Sequence, residues 1–355
     1  MDFTLSQDQR ELKAAARHYL SQSYPPARIA ELSDGAGWDS AAWPELVRQG
    51  WLDPELGAVE LALLAEEGGR VLHPVPWWVT VALALPVYQA AGLDLPGPAT
   101  LADGSTGCRA LRQPTGWVLD GLLPSVPQAG LATEILVAAR TAAGIALFAV
   151  DPDAPGLTLT ERAGLDPLRI VAGLRLAGAP ARLLLDAPAA EPVLASVERR
   201  AGLLLACEAV GVADRVLELA VDYAKIRTQF GRPIGSYQAV AHQLADSYAA
   251  VELARSLAYR AACVLDDEPG DAAEAIACAV QAGTRAAVSG CQVAMQVTGG
   301  IGVTWEYPLH RWYRRALFLQ ARAAAGPDPL AVIAGELLQA ARPAPEPIEG
   351  ALASA

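Results

Sequence analysis

The sequence predicts an α+β fold that is mainly α. An N-terminal helical domain spans residues 1–92, a middle antiparallel β-domain 93–191, a C-terminal helix bundle 192–342 and a loose tail 343–355. Three observations carry this. Apolar residues recur at helical spacing through the first stretch. Near residue 93 Gly and Pro become frequent, and short apolar runs alternate with turns. From Pro192 onward, long Ala/Leu-rich segments resume at lengths that suit a four- or five-helix bundle.

The first helix opens on a capping box, Ser6 with Gln9, followed by Leu12, Ala16 and Tyr19 on one face. Pro25 and Pro26 break the chain. A second helical segment runs through Ile29 to Leu32, and a third runs from Ala41 until Gly50 ends it. Val59 to Val71 forms a fourth and Trp77 to Ala91 a fifth. In the middle region the strand candidates are Trp117-Val-Leu, Ile135-Leu-Val-Ala-Ala, Ile145 to Val150, Leu157-Thr-Leu-Thr and Ala181-Arg-Leu-Leu-Leu. Asp120-Gly121 and Pro155-Gly156 are turn signals between them. The bundle helices are expected at Val193 to Ile226, Ser236 to Leu265, Asp271 to Thr298, Pro308 to Ala324 and Pro329 to Ala341.

Composition excludes several classes. A net charge of −12 opposes nucleic-acid binding, because like charges meet a polyphosphate. The hydrophobic share of 53% supplies large cores and argues against disorder. The start has neither a basic n-region nor an apolar h-region, and the most apolar windows are too short to span a bilayer. The 5 cysteines are scattered without a Cys-x-x-Cys pair and the 4 histidines do not cluster, so no metal site is expected. A reducing, cytoplasmic setting fits this usage.

Two segments carry a family resemblance. Arg227-Thr-Gln-Phe-Gly-Arg-Pro-Ile-Gly-Ser-Tyr-Gln238, continued by Leu244-Ala-Asp246, resembles the Arg-x-Gln-Phe-Gly-x-Pro-Ile-x-x-Phe-Gln signature of the acyl-CoA dehydrogenases. Gln296-Val-Thr-Gly-Gly-Ile-Gly-Val-Thr-Trp-Glu-Tyr-Pro308 resembles that family's Gln-x-x-Gly-Gly-x-Gly and Glu-Tyr-Pro segment. Weaker matches are Gly116-Trp-Val-Leu-Asp-Gly121, the run from Gly144 to Asp151, and the opening Phe3-Thr-Leu-Ser-Gln-Asp-Gln9.

The resemblance implies FAD as cofactor and an acyl-CoA thioester as substrate. The two segments would reach across a subunit interface to a flavin held by the neighbour. Physically, Arg227 offers a permanently charged fork for phosphate oxygens. Gly299 and Gly300 let backbone amides approach the diphosphate. Gln229, Gln238 and Gln296 can donate amide hydrogens, and Phe230 can pack on adenine or anchor its loop. Taken alone, an Arg at a helix end often just supports the dipole, and a Gly-Gly pair is often a C-cap. Trp305, Trp312 and Tyr313 read as packing residues. Arg311, Arg314 and Arg315 read as a solvated or interface helix face, although such a cluster could also meet a coenzyme A phosphate.

The family's chemistry is α,β-dehydrogenation, in which a carboxylate takes the α-proton and the β-hydride passes to the flavin. Here both family positions for that base are methyls. Counted from Gln296, one is Ala323, within Arg322-Ala323-Ala324-Ala325; counted back from Arg227, the other is Ala201. The β-domain segments that support the flavin ring also depart from the pattern. The first is reduced to Ala102-Asp-Gly-Ser105, and the second reads Ser125-Val126-Pro127, where Pro127 has no N–H. Glu198, Glu208, Asp214 and Asp328 are the nearest carboxylates in sequence, each expected as a solvated charge, cap or interface group; Cys207 and His242 are expected in core or interface. Retained donor motifs beside lost base positions imply a subunit that completes the FAD site of a homologous partner in a heterotetramer. The alternatives are a self-sufficient homomeric flavoenzyme using Glu208 or Glu198 as a displaced base, and a non-catalytic scaffold.

Overall fold

The computed structural model describes residues 4–267 and 272–340, so the tail expected at 343–355 lies outside the described residues. Helix α1 (Gln7–Ser23) starts on the anticipated capping box: the Gln9 N–H donates to Ser6 Oγ at 3.1 Å, and the Ser6 N–H donates to Gln9 Oε1 at 2.9 Å. Helices α2 (Pro26–Asp34), α3 (Trp43–Arg48) and α4 (Ala58–Val71) follow. The fifth segment is helical over its expected span but not uniformly wound. It runs from α5 (Trp77–Val79) through a π-turn (Thr80–Ala84) into α6 (Leu85–Ala91). Pro86 has no N–H for the Ala82 carbonyl, and a wider turn before it accommodates the missing bond.

Strands β1 (Ala99–Asp103), β2 (Cys108–Gln113), β3 (Gly116–Pro127), β4 (Glu134–Thr141), β5 (Gly144–Val150), β6 (Leu157–Arg162) and β7 (Val171–Leu185) make one seven-stranded sheet among the described residues. Its pairings run β4–β2–β3–β7–β5 and return to β4, so the sheet closes on itself, with β1 added on β4 and β6 on β7. Most pairings are antiparallel, but β1 lies parallel to β4, with Ala99 opposite Glu134, and β2 touches β4 in parallel at Arg109 and Arg140. Neither β1 nor β2 has the β-branched run that marks a strand. β1 is fixed instead by Thr80, whose buried hydroxyl bonds both the N–H and the C=O of Ala99. Asp120-Gly121 is not a turn. It sits inside β3 at a register shift, where Asp120 Oδ1 accepts from the Gly178 N–H. Pro155-Gly156 does turn the chain into β6, with Gly156 at φ +84°.

The unbroken apolar run in β4 follows from burial on both faces. Ile135, Val137 and Ala139 point into the closed sheet with Phe148 and Leu119, while Leu136 and Ala138 join the helical core.

Helix α7 (Ala187–Ile226) begins earlier than the Val193 read from periodicity, on an Asp186 cap that accepts from the Ala189 N–H. A two-strand hairpin, β8 (Thr228–Gln229) and β9 (Arg232–Pro233), leads to α8 (Gln238–Asp267). Then come α9 (Ala272–Thr298), a 3-10 turn (Gly299–Val303), α10 (Leu309–Ala324) and α11 (Pro329–Ala340). Among the described residues no helix is long and apolar enough to cross a membrane.

Two close crossings set the bundle geometry. At α4–α7, a Cβ on Gly211 would lie 1.9 Å from the Glu66 carbonyl, and one on Gly69 would lie 2.2 Å from that of Glu208. Along α7 and α9, Gly202 meets Ile276, Gly283 meets Ala206, and Gly290 meets Val216. Both numbers in these pairs rise together, so α7 and α9 run parallel. Their C-terminal ends, which carry the two motif segments, therefore emerge side by side.

Candidate functional site

That shared end is built from the close of α7, the β8–β9 hairpin and the 3-10 turn after α9. Tyr223, one turn before Arg227, packs edge-on against Tyr307 with centroids 6.2 Å apart, and Tyr307 Oη donates to the Leu219 carbonyl at 3.3 Å. These contacts join the first motif to the second.

The hairpin is exposed but braced by its own contacts. The Ile234 N–H donates to the Arg227 carbonyl at 2.8 Å, Tyr237 Oη donates to the Gln229 carbonyl at 3.0 Å, and the Arg232 guanidinium lies 4.1 Å over the Tyr237 ring. Phe230 occupies its tip at φ +50°, with Gly231 at φ +80° completing the turn. Holding a non-glycine residue in the left-handed region costs energy, and Phe230 is nevertheless 93% exposed.

Arg227, Gln229, Phe230, Gln238, Gln296, Gly299 and Gly300 are all exposed. Arg227 forms no ion pair among the described residues. Gly299 takes φ +65°, and a Cβ on Gly299 or Gly300 would meet nothing within 4 Å. The result is an open, donor-rich surface: one unpaired guanidinium, carboxamides and an approachable glycine backbone. Its chemistry fits the diphosphate and ribityl hydroxyls of FAD, with Arg227 and the Gly299–Gly300 backbone toward phosphate and the glutamine amides toward hydroxyls or adenine.

The two family base positions lie elsewhere. Ala201 is half-buried on α7, and Ala323 is half-buried near the end of α10. Ala323 faces a groove of about 690 Å³ between α9, α10 and α11, also lined by Thr284, Arg285, Gln320 and Asp328. Asp328 Oδ1 accepts from the Leu330 N–H and caps the start of α11.

The remaining carboxylates are structural or solvated. Glu198 is exposed on α7. Asp214 pairs with Arg70 and Arg255. Glu208 is 3% exposed, and its Oε1 accepts from Arg169 Nη2 at 2.6 Å and Arg315 Nη1 at 2.5 Å. Burial pushes the Glu208 carboxyl up, but the two guanidiniums more than offset this and hold it below the ordinary carboxylate range. Asp166 completes the cluster by accepting from Arg315 Nε. Beside it lies His73, fully buried and pushed down to about 3 by burial and by the nearby Arg169. This cluster joins the β6–β7 loop, α7 and α10, so it ties the sheet to the bundle.

Two expectations are corrected here. Arg315 is not a solvated or interface residue; it is fully buried in that cluster because its guanidinium neutralises Asp166 and Glu208. Arg311 and Arg314 instead keep their guanidiniums at the surface beside Trp305, as a solvated or interface face would. Trp312 packs in the core with Nε1 donating to the Arg70 carbonyl, but Trp305 is 56% exposed and is not a packing residue. Cys207 is in the core, and His242, exposed on α8, is outside it, which leaves the interface alternative. Sequence reasoning also missed Arg232 and Tyr307, whose ring contacts brace the two motifs. Their positions inside the motifs were the available signal.

The comparisons with known proteins agree with this architecture. Residues 198–328 match the model of the acyl-CoA dehydrogenase C-terminal domain. The chain is 30% identical to acyl-CoA dehydrogenase IpdE2 of Mycobacterium tuberculosis over 324 residues, 88% of this chain and 92% of that one. Bovine mitochondrial short-chain specific acyl-CoA dehydrogenase is 33% identical over 67% of this chain and 60% of its own length. Among solved structures, the ChsE4–ChsE5 complex from Mycobacterium tuberculosis superposes with a TM-score of 0.84 at 27% identity, covering 97% of this chain and 100% of that one. A Tcur3481–Tcur3483 steroid ACAD variant superposes at 0.82 with 30% identity, covering 95% and 99%. The chain belongs to the acyl-CoA dehydrogenase family. Its class is accordingly that of the FAD-dependent oxidoreductases.

Proposed function

We propose that this chain is one subunit of a heteromeric acyl-CoA dehydrogenase, in which it completes the FAD site of a homologous, base-bearing partner. One observation carries the reading. The diphosphate-binding groups Arg227, Gly299 and Gly300 are intact and open on one end of the bundle, while both family base positions, Ala201 and Ala323, carry methyls. Arg227, Gln229, Gln296 and the Gly299–Gly300 backbone would grip the cofactor, and Phe230 would bury its ring against adenine or partner. FAD supplies the hydride acceptor when bound. This chain's own groups contribute binding and orientation, and the partner contributes the carboxylate that removes the α-proton. The heteromeric ChsE4–ChsE5 complex and the steroid ACAD support an assembly of this kind and a steroid-derived acyl-CoA as substrate. The working division is 1–92, 93–191 and 192–342, with the second boundary falling just inside α7 (Ala187–Ile226).

The test is expression of the chain alone and together with the product of its neighbouring gene, followed by the absorbance spectrum of each preparation. The expected result is flavin and acyl-CoA oxidation only in the joint preparation. A homomer that holds flavin fully and oxidises acyl-CoA overturns the reading.

A second reading, a self-sufficient enzyme with a displaced base, finds its best support in Asp328, which lines the same groove as Ala323. Glu208 is a poor base because its two arginine partners disfavour its protonation. Unchanged flavin bleaching in Asp328→Asn and Glu198→Gln would remove this reading.

A further inference from the structure

Directly after the second motif, Trp305 stands exposed at the centre of a cationic cluster. Its indole stacks on His310, with centroids 4.5 Å apart and planes at 24°. The guanidiniums of Arg314 and Arg311 lie 5.0 and 5.8 Å from the Trp305 ring. Among the described residues neither arginine makes an ion pair or a hydrogen bond through its guanidinium. Most of the Arg311 residue is covered by the fold while its guanidinium stays accessible, and the His310 ring is held by a bond to the Trp305 backbone.

Two nearby acids fall short of compensating these charges. Asp34, exposed at the end of α2, attracts Arg311 and His310 but stays beyond ion-pair distance. Glu306 is taken up by its own backbone N–H and the Thr304 hydroxyl. The guanidiniums of Arg311 and Arg314 are not sealed from solvent, so both are open to a carboxylate arriving from outside the chain. The forked donor geometry of arginine suits that group. An exposed Trp flanked by Arg is also the residue pair in which interface binding energy concentrates.

We propose that Trp305, Arg311 and Arg314 form the anchor point of the subunit interface, seating a carboxylate-bearing segment of the partner subunit. The proposal rests on the heteromeric reading above and deepens it. The same end of the bundle presents the flavin-binding groups, so a partner seated on Trp305 brings its own cofactor half-site against Arg227 and Gly299. The exposed Ile226, Phe230, Ile301 and Val303 lie at this end as well and would become covered.

The experiment uses the chain co-expressed with its neighbouring gene product, with variants Trp305→Ala and Arg314→Glu, and Arg314→Lys as the charge-retaining control. Dissociation constants come from sedimentation, flavin content from absorbance, and folding from circular dichroism of each variant. Trp305→Ala is expected to weaken assembly at least about tenfold. Arg314→Glu is expected to weaken it further, and Arg314→Lys to fall between wild type and Arg314→Glu. Added salt should weaken the wild-type complex. Variants that assemble with wild-type affinity overturn the proposal. So do variants that assemble normally but lose flavin, because the cluster would then grip the cofactor. A wild-type chain that never joins the partner removes the heteromeric reading and this anchor together, whereas a normal wild-type complex with unaffected variants removes the anchor alone.

Discussion

Replacing Glu208 by Gln separates a structural role for this carboxylate from a catalytic one. In the folded chain its Oε1 accepts from Arg169 at 2.6 Å and from Arg315 at 2.5 Å, with 3% of the residue exposed. Glutamine keeps the shape but removes the charge. Two buried guanidiniums then share the single carboxylate of Asp166. Breaking a buried pair in this way costs about 3–5 kcal/mol, and the retained amide oxygen points to the lower end. The assay is urea denaturation followed by near-ultraviolet circular dichroism of the buried tryptophans at several pH values. The folded carboxyl lies below its ordinary value of 4.5, so the unfolded chain binds the proton first as pH falls. The stabilisation is therefore full above about 4.5 and is lost as pH drops through the folded value. Wild type and variant should differ most near neutrality and converge in acid. A variant as stable as wild type at pH 7 that no longer allows flavin bleaching by acyl-CoA would refute the reasoning and make Glu208 the base.

Arg227→Ala should reduce flavin affinity of the assembled protein by about 1.5–3 kcal/mol, the value of a charge-assisted phosphate contact. The melting temperature of the chain alone should not move, because Arg227 is exposed and unpaired among the described residues; fluorescence of released flavin measures the first effect and a thermal scan the second. Gly211→Ala should lower stability by about 1–3 kcal/mol or more, since the new methyl would meet the Glu66 carbonyl at 1.9 Å and force α4 from α7; the urea midpoint reports it. Thr80→Val should cost about 1–3 kcal/mol by orphaning the Ala99 N–H, which now donates to the hydroxyl oxygen, and by removing the proton that the Pro76 and Ala99 carbonyls share. Faster hydrogen exchange at Ala99 and along β1 should accompany that loss.

The segments proposed to hold the diphosphate could be picked out because the chemistry argued for them is local. An Arg fork, a Gly-Gly backbone and a hairpin glycine need only their own segments to be recognised, and the helices announced themselves through periodicity and the Ser6–Gln9 cap. β1 and β2 were not legible. Ala99-Thr-Leu-Ala and Cys108-Arg-Ala-Leu-Arg have little strand propensity, and both owe their conformation to neighbours, Thr80 and β3 respectively. The π-turn before Pro86 was equally hidden, since a missing N–H can be met by a kink, a break or a wider turn, and packing chooses among them.

By itself the amino-acid chain determined the order of helical, sheet and helical regions, the groups proposed to hold a diphosphate, and the methyls at Ala201 and Ala323, because each depends on residue type and short-range spacing. Only the tertiary structure decided which charges are free. Arg311, Arg314 and Arg315 lie within one helix, yet Arg315 is neutralised by Asp166 and Glu208 while Arg311 and Arg314 remain unpaired around Trp305. The partners of Arg315 come from segments more than a hundred residues away, and a charge is satisfied or left waiting by what folding brings within a few ångströms of it.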